Sequence, residues 1–318
     1  MNGRVLAALA AILMSNPPAQ AFGGSEVVVE TDGGALHGTL TVPDTGGPVP
    51  VAFIMPGSGP TDRDGNQPGL EQDVYRHLAD GLADAGIASL RIDKRGVGAS
   101  AAALDSEAGV TIDTYLDDAR AWTRMMAADE RFSDVFLLGH SEGALYAILV
   151  AETEPTAGVV LASGTGRPAA ELIRWQLDER GIGDPLRTEA ERILVELEVG
   201  RTVADPPAAL AALFRESVQA YLISWFAIDP AERLAGLDVP VLVLHGTTDL
   251  QVPVADARRL AAANETAELA ILEGTNHILR EAPAEMTANL ATYSRPDLPL
   301  ADGVIPAITS FILTEAGR

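Results

Sequence analysis

The sequence predicts an α/β protein: a mostly parallel central sheet with helices on both faces and a helical segment inserted between two of its strands. Three observations lead there. Short apolar runs alternate with segments of helical periodicity, the pattern of βαβ units. Several runs, such as Val49–Met55 and residues 135–138, are apolar without interruption, as strands buried on both faces are. Between residues 167 and 235 the alternation stops and only helical stripes remain.

Taken in order, the chain begins with an address. Met1-Asn2-Gly3-Arg4 carries a positive charge, Val5 to Met14 is apolar, and Ala19-Gln20-Ala21 is an A-x-A cleavage pattern. The apolar run is too short to span a bilayer. We therefore expect residues 1–21 to be a signal peptide cut near Ala21, leaving a periplasmic or secreted protein with no stable membrane anchor. A single arginine argues against twin-arginine export, and a chain without cysteine has no lipoprotein anchor.

Residues 26–30 and 35–42 then read as paired strands around the turn Asp32-Gly33-Gly34. Val49–Met55 is the next strand. Residues 70–85 have helical spacing and stop at Gly86, a natural C-cap. A strand over 87–92, a helix over 112–128 and a strand over 135–138 follow. Gly158–Ala162, residues 239–245 and Ala267–Leu272 complete the strands, and residues 306–314 lie in a closing helix. In the interruption, Ala190, Ile193, Leu194 and Leu197 make one stripe, while Leu210, Leu213, Phe214, Tyr221, Trp225 and Phe226 suggest one long aromatic helix. The expected organisation is a core of residues 22–166 and 236–318 with a helical cap at 167–235. Trp175 and Trp225 of the cap are candidate substrate contacts.

Composition narrows the function. The chain has 318 residues, 47% of them hydrophobic, and a net charge of −23, which suits a large core and opposes binding to nucleic acid or anionic membrane. The absence of cysteine suits an oxidising compartment and removes thiol catalysis and cysteine metal sites. Oligomeric state is not legible.

Chemistry concentrates in Gly139-His140-Ser141-Glu142-Gly143, between an apolar strand and an apolar helix. G-x-S-x-G in that context is a nucleophile elbow, a turn tight enough to require small flanking residues and to expose the serine hydroxyl. A serine needs a base, and the base an orienting acid, in the order Ser, acid, His on loops past later strand ends. Asp249 follows the strand at 239–245, and His277 follows Ala267–Leu272. Among other acids, Asp229 before Pro230 reads as a helix N-cap, Asp238 precedes its strand, and Glu273 is the one serious rival.

An oxyanion site needs two backbone N–H donors. Glu142 should supply one. The other should come from the glycine-rich loop at 56–66, with Ser58 the first choice and Gly59 the second, Gly59 also being a candidate substrate contact. The loop lacks the lysine ending of a phosphate-binding P-loop. Asp62, Arg63 and Asp64 are expected to tie it together locally, with a substrate carboxylate as the alternative partner of Arg63. His140 and His245 read as structural. His37 and His77 lack partners at ligand spacing, so no metal site and no cofactor are expected.

With these residues in view, the chain resembles the α/β-hydrolase superfamily. The matching pieces are Gly139–Gly143, the loop at 56–66, Asp93-Lys94-Arg95-Gly96-Val97-Gly98-Ala99-Ser100, Asp249 with Val252-Pro253, and Gly274-Thr275-Asn276-His277. The elbow glutamate and the Gly-Ser-Gly-Pro-Thr-Asp-Arg-Asp-Gly-Asn loop look most like bacterial carboxylesterases of the serine aminopeptidase-like S33 branch. That resemblance implies the α/β-hydrolase fold and hydrolysis of short- or medium-chain acyl esters through an acyl-enzyme, with a small-molecule ester as partner. No His-Gly-Gly-Gly motif is present, which makes tertiary alcohol esters poorer candidates. Serine at the elbow excludes haloalkane dehalogenation, which requires a carboxylate there. An aminopeptidase, amidase or lactonase on the same triad is the alternative, and a non-catalytic binding protein a remote one.

Overall fold

The computed structural model describes residues 23–317, so the signal peptide expected at 1–21 lies outside the described residues. Eight strands, β1 (Ser25–Thr31), β2 (Gly34–Thr41), β3 (Val49–Met55), β4 (Ala88–Ile92), β5 (Phe132–His140), β6 (Gly158–Ala162), β7 (Val241–Gly246) and β8 (Ala267–Leu272), form one sheet. Their order is β1-β2-β4-β3-β5-β6-β7-β8. The pairings of β2 with β1 and with β4 are antiparallel and the rest parallel. The helices are α1 (Val74–Asp84), α2 (Ile112–Ala127), α3 (Glu142–Ala151), α4 (Ala169–Glu179), α5 (Leu186–Glu198), α6 (Ala211–Phe214), α7 (Gln219–Phe226), α8 (Pro230–Leu234), α9 (Val254–Ala263), α10 (Met286–Ala291) and α11 (Val304–Glu315).

Continuous apolar strands serve two cores at once, because successive side chains point to opposite faces. Val51, Phe53 and Met55 of β3, Leu137 of β5, Val159 and Leu161 of β6 and Val243 of β7 join Leu116, Trp122, Leu145, Leu149, Leu234 and Leu260 on one face. The alternate residues Ala52, Ile54, Phe136, Leu138, Val160 and Leu244 meet Leu78, Leu82, Ile308 and Phe311 of α1 and α11 on the other. Asp229 caps α8 as expected, accepting from Ala231 N–H at 2.9 Å ahead of Pro230.

Helices α4 to α7 build a third apolar cluster of their own, in which Ile173, Ile193, Leu194, Leu197, Phe214 and Phe226 meet. Two expected elements differ from the sequence reading. The single long aromatic helix over 210–226 is broken at Arg215, whose backbone is extended (φ −51°, ψ 146°). The buried amide of Gln219 sits at the break, accepting from Val203 N–H at 2.7 Å and donating to the carbonyls of Val203 and Phe214 at 2.8 Å. An apolar stripe cannot reveal such a side-chain competitor for the backbone. The helix expected from residue 70 starts at Val74, after Asp73 in a left-handed conformation. Leu70 instead exchanges both backbone hydrogen bonds with Gln67, at 2.8 and 2.9 Å. Among the described residues no helix is long and apolar enough to cross a membrane.

Candidate active site

The elbow at the end of β5 forces Ser141 into φ 56°, ψ −120°, a conformation that L-residues adopt only when the surroundings impose it. What imposes it is close backbone approach. A Cβ on Gly139 would lie 2.1 Å from Gly143 O, and one on Gly143 2.2 Å from Met55 O. The strain lifts the serine hydroxyl out of the strand end. Ser141 Oγ is 3.0 Å from His277 Nε2, and His277 Nδ1 is 2.8 Å from Asp249 Oδ2.

Chemistry fixes the tautomer. A carboxylate can only accept, so His277 Nδ1 carries the proton and Nε2 presents a lone pair to the serine. Asp249 is held in turn by Gln251 N–H and Val252 N–H on Oδ1, at 2.7 and 2.9 Å. Burial alone would push the Asp249 carboxyl up. The His277 ring and hydrogen bond, with His245 and Val252 N–H, overcome this and hold it below its ordinary value. Glu273, the rival acid, is exposed.

His140 is more than filler under the turn. Its Nε2 donates to His277 O at 2.8 Å, so Nδ1 is bare and accepts from Tyr75 Oη at 3.0 Å; that oxygen accepts from Gly57 N–H at 2.9 Å. One chain of hydrogen bonds thus links the glycine-rich loop, the elbow and the histidine loop. Burial, helped by His277, lowers the His140 pKa to about 4, which keeps the ring neutral and this directionality intact.

With Gly57 N–H engaged, the next donor along the loop is Ser58 N–H, which has no acceptor among the described residues. The loop lies against the nucleophile, since a Cβ on Gly57 would be 3.2 Å from Ser141 Cβ. Glu142 N–H opens helix α3, where the first N–H groups have no intrahelical partner. The Glu142 side chain is buried and accepts from Tyr146 Oη at 2.6 Å and from Tyr221 Oη of α7.

Arg63 and Asp64 differ from the expectation of local ties, whereas Asp62 follows it. Only Asp62 acts locally, accepting from Asp64 N–H and Asn66 N–H. Arg63 pairs with Asp93 at 2.6 Å and Asp64 with Arg91, both partners belonging to the β4 end. Arg63 is therefore spent on the loop and is not free for a substrate carboxylate. Such pairings across the sheet have no sequence signal. Of the other histidines, His37 contacts Glu26, His77 contacts Pro296 O and His245 contacts Val252 O.

A cleft of about 330 Å³ opens over Ser141 and His277. Gly59, the candidate substrate contact of the loop, lines it together with Ser58, Gln67, Gln72, Gln251 and Tyr293. Trp175 and Trp225 are not among its lining residues. Trp225 packs beside Tyr221, with ring centroids 5.8 Å apart, between the apolar cluster of α4 to α7 and the core. The glutamines and Tyr75 were missed because polar residues in loops, and a tyrosine on an amphipathic helix, carry no distinctive pattern.

An elbow after the fifth strand of a mostly parallel sheet, with its acid and histidine past β7 and β8, defines the α/β-hydrolase class. Within that class, the family model described as "Serine aminopeptidase, S33" matches residues 70–282, and the chain belongs to this family. It is similar to the esterase EstD of Thermotoga maritima, 27% identical over 248 residues that cover 77% of this chain and 58% of that protein. It is also similar to the non-heme chloroperoxidase CPO-A1 of Kitasatospora aureofaciens, 25% identical over 68% of this chain and 84% of that one. The chain thus spans little more than half the length of EstD. Its fold matches that of Est1E from Butyrivibrio proteoclasticus with ferulic acid bound, at a TM-score of 0.61 and 19% identity, over 92% of this chain and 100% of that one.

Proposed function

We propose that this protein is a serine carboxylesterase that hydrolyses short- or medium-chain acyl esters through an acyl-enzyme. The observation that carries the reading is the unbroken line Ser141 Oγ, His277 Nε2, His277 Nδ1, Asp249 Oδ2, at 3.0 and 2.8 Å. In it, Ser141 Oγ attacks the ester carbonyl as its proton passes to His277 Nε2, and Asp249 stabilises the imidazolium. The N–H groups of Ser58 and Glu142 receive the oxyanion. His277 returns the proton to the departing alcohol, then takes one from the water that frees the acid. EstD supports the esterase reading by its name, and a cleft of about 330 Å³ is near the small end of ligand pockets.

Ser141→Ala should abolish hydrolysis of p-nitrophenyl butyrate and labelling by a fluorophosphonate; full retention of either removes serine catalysis from consideration. The family description "Serine aminopeptidase" favours amide cleavage as the second reading. A panel of p-nitroanilides against p-nitrophenyl esters decides between them, and faster amide turnover would reverse our preference.

We also propose that residues 167–235 act as a cap over the site and that the mature chain works in the periplasm or outside the cell. The A-x-A pattern at Ala19–Ala21 supports the export reading. N-terminal sequencing of the exported protein tests it, and a full-length chain retained in the cytoplasm overturns it.

A further inference from the structure

Lys94 lies two residues past the end of β4 and is 6% exposed, yet among the described residues it pairs with no carboxylate. The acidic residues nearby are engaged elsewhere: Asp93 with Arg63, and Asp118 with Arg95. What Lys94 does hold is one backbone carbonyl. Its Nζ donates to Gly57 O at 3.2 Å and stands 4.6 Å from the centre of the Tyr115 ring. Burying an ammonium is costly, and an apolar side chain of similar volume would ordinarily be the more stable choice. The contact it makes instead is informative.

Gly57 C=O and Ser58 N–H are two ends of one peptide group. The group is trans, and in a planar trans peptide the carbonyl and the N–H point to opposite sides. Fixing the carbonyl therefore fixes the direction of the N–H. Tyr75 Oη already holds Gly57 N–H at 2.9 Å, so Lys94 completes the immobilisation of that residue. A charge on the carbonyl oxygen also polarises the amide and strengthens its N–H as a donor. We propose that Lys94 is a positioning residue for the oxyanion site, acting through the Gly57–Ser58 peptide to aim and polarise Ser58 N–H. The proposal rests on the reading that Ser58 N–H receives the oxyanion.

An interaction that serves the oxyanion should appear in kcat and leave substrate binding alone. For p-nitrophenyl butyrate, Lys94→Met should lower kcat about tenfold with KM changed less than about twofold, a smaller loss than the ~10²–10³ expected for deleting a donor outright. Affinity for a trifluoromethyl ketone, whose adduct carries the oxyanion, should fall by the same factor as kcat. Lys94→Arg should recover part of both, since a cavity of about 30 Å³ beside Lys94 gives the larger head room. Should Lys94→Met not fold, Tyr115→Leu removes the ring beneath the ammonium and should lower kcat about threefold at constant KM.

Wild-type kcat and inhibitor affinity in a folded Lys94→Met overturn the proposal, as does a loss that follows folded fraction or KM alone. Those results leave Ser141 catalysis standing if Ser141→Ala is inactive. An active Ser141→Ala would instead remove the reading on which the proposal rests.

Discussion

The glycine-rich loop beside Ser141 and the helices α4 to α7 are held by opposite kinds of force. The loop at 56–73 has almost no apolar core and is fixed by directional polar contacts. Asp93 accepts from Arg63 N–H, Arg63 Nη2 and Ala99 N–H, Asn66 Oδ1 accepts from Gln72 and Asp73 N–H, and Tyr75 and Lys94 grip Gly57. The helices α4 to α7 are the reverse: a private apolar cluster wrapped in surface ion pairs such as Arg174–Glu198 and Arg187–Asp178. Polar links fasten them to the core, including Tyr221–Glu142, Ser224 to Ile112 N–H, Arg215–Glu107 and Gln176 to Gln251 O. Hydrogen bonds specify atom positions, whereas apolar packing is non-directional. The loop beside the nucleophile is accordingly held by the first, and the helices α4 to α7 by the second.

The sharpest way to break this contrast is to cut the polar anchor of the loop. Asp93 is 4% exposed, and burial, which would raise its carboxyl, is outweighed by Arg63 and two N–H groups that hold it below its ordinary value. Asp93→Ala would strand the Arg63 guanidinium and both N–H groups. It should cost about 3–5 kcal/mol in urea unfolding and most of kcat/KM; a loss under about 1 kcal/mol would mean the network does not hold the loop.

Next in size is the pH dependence of the His140 link. The ring titrates at about 4 when folded, against 6.5 ordinarily. Between these values the unfolded chain binds a proton that the folded chain does not, so stability falls as pH drops from 6.5 towards 4 and is fully present above 6.5. The loss should approach about 3 kcal/mol near pH 4. His140→Gln should flatten that segment of the curve of urea midpoint against pH; an unchanged slope would assign the effect to other groups. The depressed Asp249 carboxyl acts in the same direction at lower pH, below its ordinary 3.8.

The smallest expected effect is on the other side of the comparison. Arg215 and Ser217 hold the Glu107 carboxyl at about 2, across the seam between α6–α7 and the core. Both ionic partners are substantially exposed, so Arg215→Ala should cost under about 1 kcal/mol. Its effect on turnover should fall on KM rather than kcat. A kcat loss as large as that from Asp93→Ala would show that the seam, and not the loop, sets the geometry of catalysis.

Much of this architecture was legible beforehand. Gly158–Ala162 and Ala267–Leu272 match their strands to the residue: the first is buried along its whole length and leaves an uninterrupted apolar run, while the second is an edge strand, partly exposed and interrupted by Glu268. Ser141, Asp249 and His277 were readable from their order past strand ends, and they lie in one hydrogen-bonded line. The break at Arg215 and the start of α1 at Val74 were not, since Gln219 and Asn66 compete for backbone groups through contacts that periodicity does not encode.

By itself the sequence determined the alternation of elements, the strained elbow and the residue types of the proposed triad, all of which are local properties of short segments. Only the tertiary structure decided that Gly57, Tyr75, Lys94, His140 and His277 would be neighbours, that Arg63 would be consumed by Asp93, and that Trp225 would pack beside Tyr221 and not line the cleft. The physical reason is range. Apolar periodicity is written along one segment, but a buried polar group is satisfied by whatever the strand order brings beside it, and that partner can lie anywhere in the chain.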